Sequence, residues 1–135
     1  MCSSDLGTDV GGGTSLSQLQ TLNETYKVAA MNGTRLTALH GFYLATRGGA
    51  EALQLQHRIG SLQPGLEADI TVLDLKATPL LAFRLAVAET LHDILFVLMT
   101  LGDDRVIRAT YVAGEQVYDR EKFGDGAQFR YPLAG

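Results

Sequence analysis

Asp9 is a carboxylate set among glycines, in Gly7-Thr8-Asp9-Val10-Gly11-Gly12-Gly13-Thr14, directly ahead of a long amphipathic run. Glycine lets a backbone approach a ligand closely, and an acid at such a bend aims its oxygens at whatever lies there. That chemistry suits metal ligation or proton transfer; the competing reading is a plain chain reversal with Asp9 facing water. A phosphate cradle does not fit, because no Lys-Ser or Lys-Thr follows Gly13 and the spacing G-x-G-x-x-G is absent. His40, His57 and His92 are the histidines, and their separations match neither H-x-H nor H-E-x-x-H. Each is therefore expected to be a surface or packing residue. Asp69 and Asp74 lie five apart in a β-rich run, where they point to opposite faces and take structural roles.

The elements that must position Asp9 are legible from period and punctuation. Ser15-Leu16-Ser17-Gln18 fits a capping box that opens a helix, in which Leu16, Leu19, Leu22, Tyr26 and Ala29 or Ala30 recur at helical spacing until Asn32-Gly33. Leu36, Leu39, Phe42, Tyr43 and Thr46 continue that period, with Phe42 and Tyr43 as core packing. Gly48-Gly49 predicts a break before a short turn of helix from Ala50 to Leu53. Arg58 to Leu62 reads as a short strand, Pro64-Gly65 as a type II turn and Asp69 to Leu75 as a β run. Thr78-Pro79 opens a helix; Thr90 and Asp93 cap another, with the apolar stripe Leu91, Ile94, Leu95, Leu98 and Leu101 ending at Gly102 as core or subunit contact. Val106 to Val112 and Gln116 to Tyr118 predict a hairpin about Ala113-Gly114-Glu115. A type II′ turn with Gly114 first is favoured there, since type I′ forces Ala113 to positive φ. Glu121 to Gly135 is polar and Gly-rich and is expected to be loosely held.

Composition narrows the partners. A net charge of −4 with scattered Lys and Arg leaves no basic patch, which argues against nucleic acid. Charges interrupt every apolar run well before the ~20 residues a membrane span needs, and the first residues lack the basic start and apolar run expected of a secretory signal. The single Cys2 forms no internal disulfide, which fits a reducing cytoplasm. At 135 residues the chain is short of the ~250 that a complete (β/α)8 barrel needs.

Gly7 to Ser15, continuing into Leu22-Asn23-Glu24 and Tyr26-Lys27-Val28, resembles the last barrel strand and following loop of the guanine deaminase family, zinc enzymes of the amidohydrolase superfamily. The likeness runs to about Arg120 through Phe42 to Thr46, Arg58-Ile59-Gly60, Pro64-Gly65, Ala68-Asp69, Ala77 to Leu81 and Leu101 to Arg105. It implies an α/β fold, the C-terminal part of a metal-dependent (β/α)8 amidohydrolase barrel plus part of a small β-sandwich domain. Residues 1–57 would end the barrel, 58–77 and 105–120 would supply the C-terminal share of the sandwich, 78–104 would pack helices back on the barrel, and 121–135 would trail. Asp9 would ligate Zn2+ and act as catalytic proton acceptor in hydrolysis of guanine to xanthine and ammonia. The partners implied are guanine and a second copy in a homodimer, with no nucleic acid and no membrane. The other metal ligands, the catalytic Glu and the guanine contacts would lie upstream. Gly11-Gly12-Gly13 and Ala77 to Leu81 favour guanine over another aminated or chlorinated ring. A reading from another class is a non-catalytic dimerisation module using the Leu91 to Leu101 stripe.

A single monodentate carboxylate cannot define a tetrahedral site, so the isolated 135-residue chain is expected neither to hold zinc tightly nor to convert guanine. Metal analysis of the purified chain and an ammonia-release assay check this.

Overall fold

Residues 5–123 are described by the computed structural model, and its first helix begins where a serine hydroxyl meets a free amide. That serine is Ser17, not Ser15: Ser17 Oγ accepts from Gln20 N at 3.4 Å and opens α1 (Gln18–Met31), while Ser15 Oγ accepts from Ser17 N at 2.9 Å. Gln18 takes no part in a capping box, because its side chain donates to the Leu6 carbonyl at 2.8 Å. Leu19 and Leu22 are buried and Tyr26 and Ala29 pack beside them, whereas Leu16 lies ahead of the helix and is 79% exposed. Asn32 caps the C-terminus and Gly33 leaves it at φ 70°.

α2 (Ala38–Tyr43) starts at the Thr37 cap and runs through a widened π turn, Leu44–Gly48, into α3 (Gly49–Ala52). The break expected at Gly48-Gly49 does not occur: both glycines hold helical angles, φ −59° and −60°. Two glycines permit a break without imposing one, and packing of Leu44, Gly48 and Ala50 against the interior keeps the helix going. The inward face is Ala38, Gly41 and Leu44, so Leu39 and Tyr43 point outward. Phe42 packs against the core as expected; Tyr43 does not, and its hydroxyl instead donates to Glu51 Oε2 at 2.6 Å.

α4 (Pro79–Leu85) follows the Thr78 cap, and α5 (Leu91–Leu101) follows a reciprocal capping box between Thr90 and Asp93. Val97, Leu98 and Met99 of α5 are buried against α1 and α2, and Leu81 of α4 closes the same core. A Cβ on Gly41 would stand 3.1 Å from Leu22 Cδ2 and 3.2 Å from Met99 Sδ, so the glycine lets these three helices meet without displacing either side chain. The α5 stripe is thus largely internal, with Leu91 and Leu101 outside, and it does not form the free contact face a dimerisation module would use.

Arg58 to Leu62 is not a strand. Arg58 N and Ile59 N both donate back to the Leu55 carbonyl, at 2.8 and 3.0 Å, so a local turn claims the amides a ladder would need. The Pro64-Gly65 turn is as expected, with Leu66 N on the Gln63 carbonyl and Gly65 at φ 91°. β1 (Ile70–Leu73), β2 (Ile107–Val112) and β3 (Glu115–Asp119) then form an antiparallel sheet in that order, entered through a 3₁₀ turn at Asp104–Val106. Ile70 pairs with Tyr111 and Thr110 with Tyr118, and each pair of strands carries one bulge.

The hairpin turn is Ala113-Gly114, both at positive φ (51° and 84°), which is type I′ and overturns the type II′ expectation. The neighbouring chain holds it: Ala113 N donates to Asp69 Oδ1 at 2.8 Å and Gly114 N to the Ala68 carbonyl at 3.1 Å. These bonds offset the cost of a left-handed alanine. Asp74, the other acid of this run, accepts from Lys76 N and pairs with Arg120, so both aspartates are structural. The stretch expected to be loose opens with the helical turn α6 (Arg120–Phe123), and its remainder lies outside the described residues.

Leu22 is 1% exposed at the meeting point of three helices; Leu22→Ala is expected to cost about 2–5 kcal/mol, read by urea denaturation. The Arg120 guanidinium, helped by the Lys76 amide, holds the Asp74 carboxyl below its usual range. Because the folded value is lowered, this stabilisation is present above the ordinary carboxylate pKa of ~3.9 and is lost as pH falls through the lowered one. Arg120→Gln is therefore expected to raise the pH midpoint of acid unfolding, followed by circular dichroism.

Candidate active site

The Asp9 loop hangs from a stem whose backbone groups are both spoken for. Leu6 N donates to the Leu44 carbonyl at 3.1 Å, at the start of the widened turn, and the Leu6 carbonyl accepts from Gln18 Nε2 at 2.8 Å. The Leu6 side chain packs on the core, so the stem is fixed to α1 and to the end of α2 without belonging to a strand among the described residues.

Beyond the stem the chain coils on itself. Asp9 adopts φ 43°, a left-handed conformation that aspartate tolerates better than most side chains. Its carbonyl accepts from both Gly12 N (3.0 Å) and Gly13 N (2.5 Å), Gly11 N donates to the Gly13 carbonyl (3.1 Å), and Val10 bridges Gly13. Asp9 and Val10 to Gly12 are exposed. Among the described residues nothing donates to the Asp9 carboxylate and no cation pairs with it, so its oxygens are free to bind.

A carboxylate oxygen is a suitable zinc donor, and one so exposed and unpaired fits the chemistry of a ligand. It does not make a site by itself: no group of three or more His, Cys, Asp or Glu able to hold a metal ion occurs among the described residues. His40, His57 and His92 are exposed and distributed over α2, a turn and α5, as their spacing anticipated.

Two positioning features escaped the sequence. Gln18 has the spacing of a capping residue, yet it tethers the loop stem. Asn23, inside the Leu22-Asn23-Glu24 motif, donates from Nδ2 to the Thr100 carbonyl at 2.7 Å and locks α1 to the end of α5. A polar residue one step from a buried leucine was the available signal, but its partner is 77 positions away. Beside it a polar cleft of about 360 Å³ opens between Thr14, Glu24 and Asp103. Asp103 caps the 3₁₀ turn and pairs with Arg105 at 2.5 Å, which holds its carboxyl below the usual range.

Residues 4–117 match the model of the amidohydrolase family, and the chain belongs to that family. The particular likeness is to guanine deaminases. Over 115 residues, 85% of the chain, it is 54% identical to the guanine deaminase of Escherichia coli (strain K12), of which it covers 26%. It superposes on the E. coli guanine deaminase structure with a TM-score of 0.84 at 53% identity, covering 86% of this chain and 27% of that one. On the guanine deaminase of Bradyrhizobium japonicum the TM-score is 0.80 at 30% identity, covering 86% and 31%. The chain spans about a quarter of the length of the curated relatives it matches.

Proposed function

We propose that this chain is the C-terminal portion of a guanine deaminase, carrying one ligand of its zinc ion and the proton acceptor of the reaction on the same side chain, Asp9. The observation that carries this reading is the 54% identity to the E. coli enzyme over most of the chain, within a family match that includes Asp9. The free carboxylate on a stem tied at both backbone groups supports it. In the reading, the remaining ligands and the guanine contacts come from residues outside this stretch, and the working protein is a cytoplasmic homodimer of purine catabolism.

A zinc ion held in part by Asp9 would supply Lewis acidity, making a nearby water easier to deprotonate near neutral pH. Asp9 does the proton work. It would help hold the ion and would take a proton as a water oxygen bonds to the guanine carbon that carries the amino group. Asp9 then passes that proton to the amino nitrogen, which leaves as ammonia as the C–N bond breaks. The second proton of the water ends on a ring nitrogen, and the carbonyl left behind makes the product xanthine. A carboxylate suits both roles because a nearby cation would favour its ionised form, which is the form that accepts a proton.

Asp9→Asn in the full-length enzyme keeps the shape and removes the proton acceptor. Turnover of guanine is expected to fall roughly 10²- to 10⁴-fold with an unchanged circular dichroism spectrum. A variant that turns over guanine at the parent rate ends this assignment.

A further inference from the structure

We propose that Gly12 is a positioning residue for the Asp9 carboxylate, which lies where a side chain at position 12 would have to be. A Cβ built on Gly12 stands 2.8 Å from Asp9 Oδ2, closer than such atoms approach, while Asp9 Cγ at 3.5 Å and the nearest backbone atom, the Asp9 carbonyl oxygen at 3.7 Å, are in ordinary contact. A methyl group there conflicts with one thing only, the end of the acid. Because that end is flexible and exposed, the conflict is relieved by swinging the carboxylate off the loop, with the backbone left as it is.

The three consecutive glycines are required for three different reasons. Gly11 sits at φ 117°, a backbone conformation closed to L side chains, although the space around it is open. A Cβ on Gly13 would run into the Thr8 carbonyl and stand 3.1 Å from the Asp9 carbonyl, so that glycine protects the fold of the turn. Gly12 alone protects the place of the functional group. Its amide also donates to the Asp9 carbonyl at 3.0 Å, which fixes residue 12 beneath the acid.

This inference rests on Asp9 being a metal ligand, and the experiment separates the two. Gly12→Ala, Asp9→Ala and the double variant are made in the full-length enzyme. Zinc affinity is measured by competition with a chromophoric chelator, kcat and KM with guanine, and Tm on metal-stripped protein. Gly12→Ala is expected to weaken zinc binding roughly 10- to 100-fold, the usual range for groups that orient a ligand. It should lower kcat with KM little changed and leave the metal-free Tm unaltered. The double variant should bind zinc no more weakly than Asp9→Ala, since a displaced carboxylate has nothing to lose once the acid is gone. Parent-level zinc affinity in Gly12→Ala, or a loss that adds in full to that of Asp9→Ala, overturns the role of Gly12 and leaves that of Asp9 standing. A metal-free Tm that falls with the affinity also counts against it, placing Gly12 with Gly13 as a guardian of the turn. Parent-level affinity in Asp9→Ala sinks the ligand assignment itself.

Discussion

The contact among Leu22, Gly41 and Met99 is the constraint on which the other elements hang. Three helices converge there so closely that a side chain on α2 would press on both neighbours, and Leu22 and Met99 are almost wholly removed from water. Burial of this kind is the main favourable term in folding and is intolerant of small changes in volume, so the approach sets where each helix lies. Because α5 is held there, its C-terminal end is delivered to Asn23, and the chain leaves it toward β2 from a defined point. Because the end of α2 is held there, the Leu44 carbonyl is placed to receive the stem of the Asp9 loop.

The loop itself is organised by its own backbone. Two amides converge on one carbonyl, a left-handed aspartate opens the coil, and three glycines complete it. Such a coil is compact without being buried, and it leaves the Asp9 side chain exposed. The acid is left without a partner while Asp69, Asp74, Asp93 and Asp103 are all engaged in capping or pairing. That contrast separates Asp9 from these four acids.

The sheet depends on the same economy of polar partners. Asp69 and the Ala68 carbonyl both serve the Ala113-Gly114 turn, and Asp74 with Arg120 ties the far end of β3 back to the exit of β1. Each acid thus joins segments about forty residues or more apart, so the two contributions to the sheet register against one another through side chains as well as through the ladder.

Helix starts at Thr78 and Thr90, the stop at Asn32-Gly33, the Pro64-Gly65 turn and the β run after Asp69 were determined by the sequence alone. Each depends on interactions within a few residues: a hydroxyl reaching an amide three positions on, a proline ring fixing φ, a glycine accepting a left-handed angle. What only the tertiary structure decided were outcomes in which a distant partner outbid a local preference. Gln18 left its cap for the Leu6 carbonyl, Gly48-Gly49 stayed helical under packing from the interior, Arg58 and Ile59 gave their amides to a turn, and Ala113 went left-handed because Asp69 and Ala68 supplied the bonds. A one-dimensional pattern carries the local terms, but the location of a carbonyl or carboxylate tens of residues away in sequence exists only once the chain has folded.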